Sequence, residues 1–117
     1  MGAVLDYIGG LDEPGRSLLG RLHQRAIAIV PGAEEGTSYG MAALRYRGRP
    51  LIAVIVTATG YSAYPFSPAV VVAAVGGSAL KTTKGGIKFT DGDILPDDVY
   101  DALVSLRRDE IDAAFAR

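Results

Sequence analysis

Thr37-Ser38-Tyr39-Gly40-Met41-Ala42-Ala43-Leu44-Arg45-Tyr46, then Arg47-Gly48-Arg49-Pro50, then Leu51-Ile52-Ala53-Val54-Ile55-Val56-Thr57: the reading of this stretch decides the fold. Over Thr37 to Tyr46 the side chains alternate with period two, so that Leu44 and Tyr46 share one face while Arg45, Arg47 and Arg49 share the other. That is strand periodicity. Gly48 to Pro50 supplies a turn, and Leu51 to Thr57 is an apolar run rich in β-branched residues, which completes a hairpin. Gly60 breaks the chain again, Tyr61 to Tyr64 reads as a third strand, and Pro65 ends it. Three strands joined by such short connections pair most economically as antiparallel neighbours.

Outward from this meander the period changes. On its N-terminal side Leu18, Leu22, Ala26 and Ile29 recur at helical spacing, with Asp12 as a capping residue and Pro14 in the first turn. A helix over 13–30 follows, stopped by Pro31-Gly32 and joined to the first strand by a loop carrying Glu34 and Glu35. On the C-terminal side Ser67-Pro68 opens a short helix over 68–75, although Val70, Val71 and Val72 are β-branched and favour strand. Gly76-Gly77 and Gly85-Gly86 punctuate the next segment, Ile87 to Thr90 reads as a last strand, and Asp91-Gly92 turns the chain. Pro96, Asp97 and Asp98 open a final helix with Val99, Leu103, Leu106 and Ile111 as its apolar stripe. The expected fold class is α+β: an antiparallel sheet of about four strands packed against N- and C-terminal helices, with residues 1–117 as one domain.

Composition bounds the function classes. At 117 residues, 49% hydrophobic and 21% charged, the chain has an ordinary globular make-up and is long enough to bury a core. It contains no cysteine, which removes disulfides, thiolate zinc sites and a cysteine nucleophile together. The apolar runs fall far short of the roughly 20 residues a membrane-spanning helix needs. The N-terminus carries no basic region followed by an apolar stretch, and a cytoplasmic location is the expectation. Charge is unevenly spread: residues 1–90 hold nine Lys/Arg against five Asp/Glu, and 91–117 hold three against eight. The plain expectation is that these two parts neutralise each other within one fold.

Several motifs resemble a known family. Pro31-Gly32-Ala33-Glu34-Glu35, Ser38-Tyr39-Gly40-Met41, Tyr46-Arg47-Gly48-Arg49-Pro50-Leu51, Tyr64-Pro65, Lys84-Gly85-Gly86-Ile87-Lys88-Phe89 and Leu95-Pro96 occur in the order found in the YdhG-like domain family. These are bacterial domains of unknown function that include a proposed frataxin-like intracellular iron chaperone. The resemblance covers nearly the whole chain and implies a YdhG-like fold and iron handling. Two places depart from the pattern. Ala42 stands where the family has proline, and Thr57 to Gly60 occupies the place of its lysine and histidine.

Four candidate sites follow from the residues. Asp91, Asp93, Asp97, Asp98 and Asp101 offer the several oxygens that a hard cation such as iron wants, although Asp97 and Asp98 also suit a helix N-terminus and Asp91-Gly92 suits a turn. A polar-aromatic group of Thr37, Ser38, Tyr39, Tyr61, Tyr64 and Lys84 could line a small-molecule pocket, with Tyr39, Gly40, Met41, Tyr64 and Lys84 as its expected ligand contacts, or its tyrosines could serve as cross-strand packing. His23, the single histidine, falls beside the apolar stripe of its helix and is expected to be solvated, with no serine and carboxylate placed to form a triad. Arg45, Arg47, Arg49, Lys84 and Lys88 could make a basic sheet face, but a pI near 5.7 and the lack of a recognised motif keep nucleic acid off the list of expected partners. The function expected is a non-enzymatic binding protein for iron or another small ligand. The alternative is a protein-interaction or oligomerising module, such as a homodimer, that uses exposed sheet edges.

Overall fold

A computed structural model describes residues 2–76, 80–83 and 85–116, without the side chains of Lys81 and Thr83. The chain runs α1 (Ala3–Gly9), α2 (Gly15–Ile29), β1 (Glu34–Ser38), β2 (Met41–Tyr46), β3 (Arg49–Thr57), β4 (Gly60–Tyr64), α3 (Pro68–Val75), β5 (Lys81–Thr83), β6 (Gly86–Phe89) and α4 (Asp97–Phe115). The strands form one antiparallel sheet in the order β1-β2-β3-β4-β6-β5. The α+β class and the antiparallel meander stand as expected, and the sheet is wider than four strands for two reasons. First, Thr37 to Tyr46 is not one strand: Tyr39 and Gly40 both take positive φ, 52° and 76°, and turn the chain so that Ser38 faces Met41. Second, Lys81–Thr83 adds a short outer strand on β6.

The turn between β2 and β3 shares this geometry, since Arg47 and Gly48 have φ of 53° and 78° and set Tyr46 opposite Arg49. Two consecutive residues at positive φ match the right-handed twist of the strands they join, which is why such two-residue hairpins favour glycine in the second place.

Leu19, Leu22 and Ala26 of α2, Tyr100, Leu103 and Ile111 of α4, and Leu44, Leu51, Ala63 and Ile87 of the sheet are all buried in one cluster. α4 lies on β3 and against both α2 and α3. α3 is capped as its sequence suggests: the Ser67 Oγ accepts from the Val70 N–H at 3.3 Å and its hydroxyl donates to Glu110 Oε2 at 2.8 Å. The start of α2 differs from expectation. Asp12 makes no cap; the Glu13 carboxylate receives the Ser17 N–H at 2.9 Å and its hydroxyl at 2.8 Å.

α1 was not apparent from periodicity, and its anchor explains why. The Leu5 N–H in its first turn donates to Glu35 Oε1 at 2.7 Å, so the helix is capped from β1, thirty residues away. A Cβ on Gly2 would stand 2.3 Å from Glu35 Cδ, so this docking needs glycine there. No helix among the described residues is long and apolar enough to cross a membrane.

Candidate functional site

The five aspartates singled out for metal binding do not converge. Asp97 and Asp101, one turn apart on α4, both face arginines of α2. Arg21 Nη1 lies 2.8 Å from Asp97 Oδ1, and Arg25 meets Asp101 with two bonds of 3.0 and 2.6 Å while reaching Asp97 Oδ2 at 3.6 Å. This bidentate geometry is a guanidinium–carboxylate fork. The hydrogen bond from Arg21 holds the Asp97 carboxyl below its ordinary range despite the partial burial that opposes it. Asp98 Oδ1 accepts from the N–H of Val99, and the Asp93 main chain pairs with Thr90. Asp91 turns the other way, toward β4. Among the described residues no three of His, Asp or Glu stand close enough to hold one metal ion. The donor set that iron binding would require is therefore not assembled by these aspartates.

The polar-aromatic group is dispersed as well. Tyr39 and Gly40 form the tip of the β1–β2 hairpin, where Tyr39 is 83% exposed and stacks on Phe66 with ring centres 5.7 Å apart. Met41 opens β2, half-buried. Tyr64 sits on β4 with its ring over Gly86, where a Cβ would come within 2.6 Å of Tyr64 Cδ1. Lys84 lies outside the described residues. The arginine face is also divided. Arg45 donates to the carbonyls of Thr37 and Gly48, whereas Arg47 and Arg49 place their guanidinium carbons 4.4 and 5.1 Å from the centre of the Phe115 ring.

One member of each dispersed group meets the other. A cleft of about 370 Å³ opens between the α1–α2 connection, the facing ends of β3 and β4, and the turn after β6. Its walls include Leu11, Asp12, Val56, Thr57, Tyr61 and Asp91, with Gly10, Gly15 and Gly60 between them. Tyr61 is 5% exposed, stacks on Phe89 at 5.2 Å, and donates its hydroxyl proton to Asp91 Oδ1 at 2.5 Å. That bond to a carboxylate, seconded by burial, pushes the phenol up to about 12.

The glycines explain how the cleft stays open. Gly60, at φ +155°, lies so close to β6 that a Cβ would stand 2.5 Å from the Phe89 carbonyl oxygen, and a Cβ on Gly15 would touch the Tyr61 ring at 3.5 Å. Asp12, free of a capping role, makes no side-chain hydrogen bond or ion pair among the described residues. Among the described residues the cleft walls thus carry two carboxylates and no cationic side chain. Sequence reasoning had Tyr61 and Asp91 in separate groups, because the pairing that joins them, Tyr61 opposite Phe89 two residues before Asp91, exists only in the folded register.

His23 also differs from expectation. It is half-buried rather than solvated, and its Nδ1 is buried without a hydrogen-bond partner among the described residues.

The element order and sheet define an α+β domain with a YdhG-like fold. Among solved structures the chain is similar to YdhG from Bacillus subtilis, a protein of the DUF1801 family: TM-score 0.75 over 95% of this chain and 90% of that one, at 14% sequence identity. At that identity the likeness is one of fold. No family model matches the sequence, and a search of the curated proteins finds no match.

Proposed function

We propose that this protein is a non-enzymatic binder of a small organic cation, held in the cleft between the α1–α2 connection and β4. The observation that carries the reading is the Tyr61–Asp91 hydrogen bond in a concave wall that also presents Asp12 and, among the described residues, no positive side chain. A few orienting polar groups in an otherwise apolar or glycine-walled cleft are what a small-molecule site needs, and two uncompensated carboxylates favour an ammonium or guanidinium group over an anion. A non-catalytic role fits the absence of a relay: among the described residues the only histidine has no hydroxyl or carboxylate bonded to it. An iron cargo, the expectation from family resemblance, finds no comparable support in the placement of the acidic residues.

The test is a two-dimensional NMR titration of ¹⁵N-labelled protein with propylammonium, glycerol, inorganic phosphate and, anaerobically, ferrous iron. Saturable shifts of the Leu11, Gly15 and Gly60 amides with propylammonium alone, weakened about tenfold in Asp91→Asn, are the expected result; a tenfold loss corresponds to about 1.4 kcal/mol. If none of the probes moves these amides, the cleft is not the site.

A second reading rests on the aromatic pair at the hairpin tip. Tyr39 and, at 71% exposure, Val72 present apolar surface to solvent, which suits a homodimer or another protein partner. Light-scattering mass measurement would report a dimer that Tyr39→Ser disrupts; a monomer at high concentration removes that homodimer.

A further inference from the structure

The pairing of β2 with β3 stops at Leu44 opposite Ile52, although β3 continues to Thr57. Beyond that pair the N–H of Val56 donates to the Tyr7 hydroxyl at 2.9 Å rather than to a neighbouring strand. Main-chain groups alternate in direction along a strand, so Val54 turns its N–H and C=O to the same side as Val56, toward the gap. A small cavity of about 20 Å³ lies in this opening. Most of its wall is apolar, with Ile8, Leu19, Leu44 and Val54 among the contributors, but His23 and Tyr100 also line it.

Both polar side chains are short of a partner. His23 Nδ1 is buried and unbonded among the described residues. Tyr100 is 1% exposed, burial pushes its phenol up, and its hydroxyl makes no hydrogen bond among the described residues. A buried polar atom left as His23 Nδ1 is left is costly, and internal water is the usual remedy where a cavity offers two to four polar partners and at least about 10–15 Å³ of room.

We propose that this cavity binds a single water molecule, held by His23 Nδ1, the Tyr100 hydroxyl and the main chain of Val54. The size is enough for one water. In this position the water joins α2 and α4 to β3 at the place where the sheet lacks a β2 partner. His23 is then a positioning residue of the core, which accounts for a histidine in a wall built mostly from aliphatic side chains.

Water-selected NMR on the labelled protein reads this directly. A long-lived water cross-peak to the Val54 amide, together with a His23 ring-nitrogen shift that marks a hydrogen-bonded Nδ1, is the expected result. Tyr100→Phe, which keeps the ring and removes one partner, should abolish or weaken that cross-peak at least twofold. Absence of any water cross-peak at Val54 in the unaltered protein overturns the proposal. An undiminished cross-peak in Tyr100→Phe overturns the assigned partners. Should that variant not fold, His23→Leu takes its place with the same two outcomes.

Discussion

Two regions hold the acidic C-terminal part of the chain, and they use the same residue type in opposite ways. Along the seam between α2 and α4, Asp97 and Asp101 are met by Arg21 and Arg25, with contacts from 2.6 to 3.6 Å. At the cleft, six residues before Asp97, the Asp91 carboxylate meets a phenol, and the neighbouring Asp12 side chain has no hydrogen-bond or ion-pair partner among the described residues. The uneven charge seen in the sequence therefore divides. One share is neutralised in docking α4 onto α2, with Asp112 joining in through Arg47 at 3.0 Å and Tyr46 at 2.8 Å. The other share remains uncompensated beside an open concavity. Charge that is paired positions helices; charge left unpaired at a cleft is what a ligand of opposite sign can use.

The contrast between seam and cleft is disturbed most forcefully at the glycines. Gly60→Ala forces a Cβ to 2.5 Å from the Phe89 carbonyl and asks alanine for a φ of +155°. Overpacking of that kind, with the backbone strain added, should cost about 3 kcal/mol in chemical denaturation. Gly20→Ala on α2 is the control. Nothing lies within 4 Å of its Cβ position, and replacing a mid-helix glycine should stabilise the protein by up to about 1 kcal/mol. Equal effects at the two positions would mean that the cleft wall is not tightly constrained.

The seam is probed by acid. Arg21 holds the Asp97 carboxyl below its ordinary value of 3.8. A carboxyl depressed in the folded state contributes stability that is complete above the ordinary carboxylate range and is lost as pH falls through the depressed value. Asp97→Asn should therefore lower the thermal midpoint at neutral pH by less than Gly60→Ala does, and the difference from the parent should vanish toward pH 2. Raised salt should shrink it as well, since both partners are nearly half exposed. A pH-independent difference would show that the pair acts by packing alone.

What the sequence made legible follows the range of the interactions. Short-range signals worked: Ser67-Pro68 capping α3, the apolar stripe of α4, and the glycine of the Arg47–Gly48 turn all act within four residues. The Tyr39–Gly40 turn was hidden because tyrosine rarely accepts φ of 52°, so the pattern read as unbroken strand. α1 was hidden because its cap is Glu35, and the cleft because Asp12, Tyr61 and Asp91 come from three separate segments. His23 was misplaced because a helical wheel shows which face a residue occupies but not that α1 and the β2–β3 gap close over that face.

The smallest effect is expected at Asp91 itself, and it discriminates most finely between the two regions. Asp91→Asn leaves the Tyr61 ring stacked on Phe89 and still offers an oxygen to the hydroxyl, so global stability at neutral pH should change little. The phenol should respond instead. Its position near 12 comes first from the bond to the carboxylate and second from burial, so the variant should bring it part of the way back toward the ordinary value of 10. A phenol raised in the folded state contributes stability that is complete below about pH 10 and is lost as pH rises toward 12. In Asp91→Asn the stability lost as pH rises above 10 should be smaller. Tyr61 can be followed alone among the six tyrosines through the ¹³C shift of its ring carbon Cζ. A phenol unmoved by the substitution would mean that burial alone sets it; the carboxylate would then be a bystander, and the contrast between seam and cleft would lose its chemical basis.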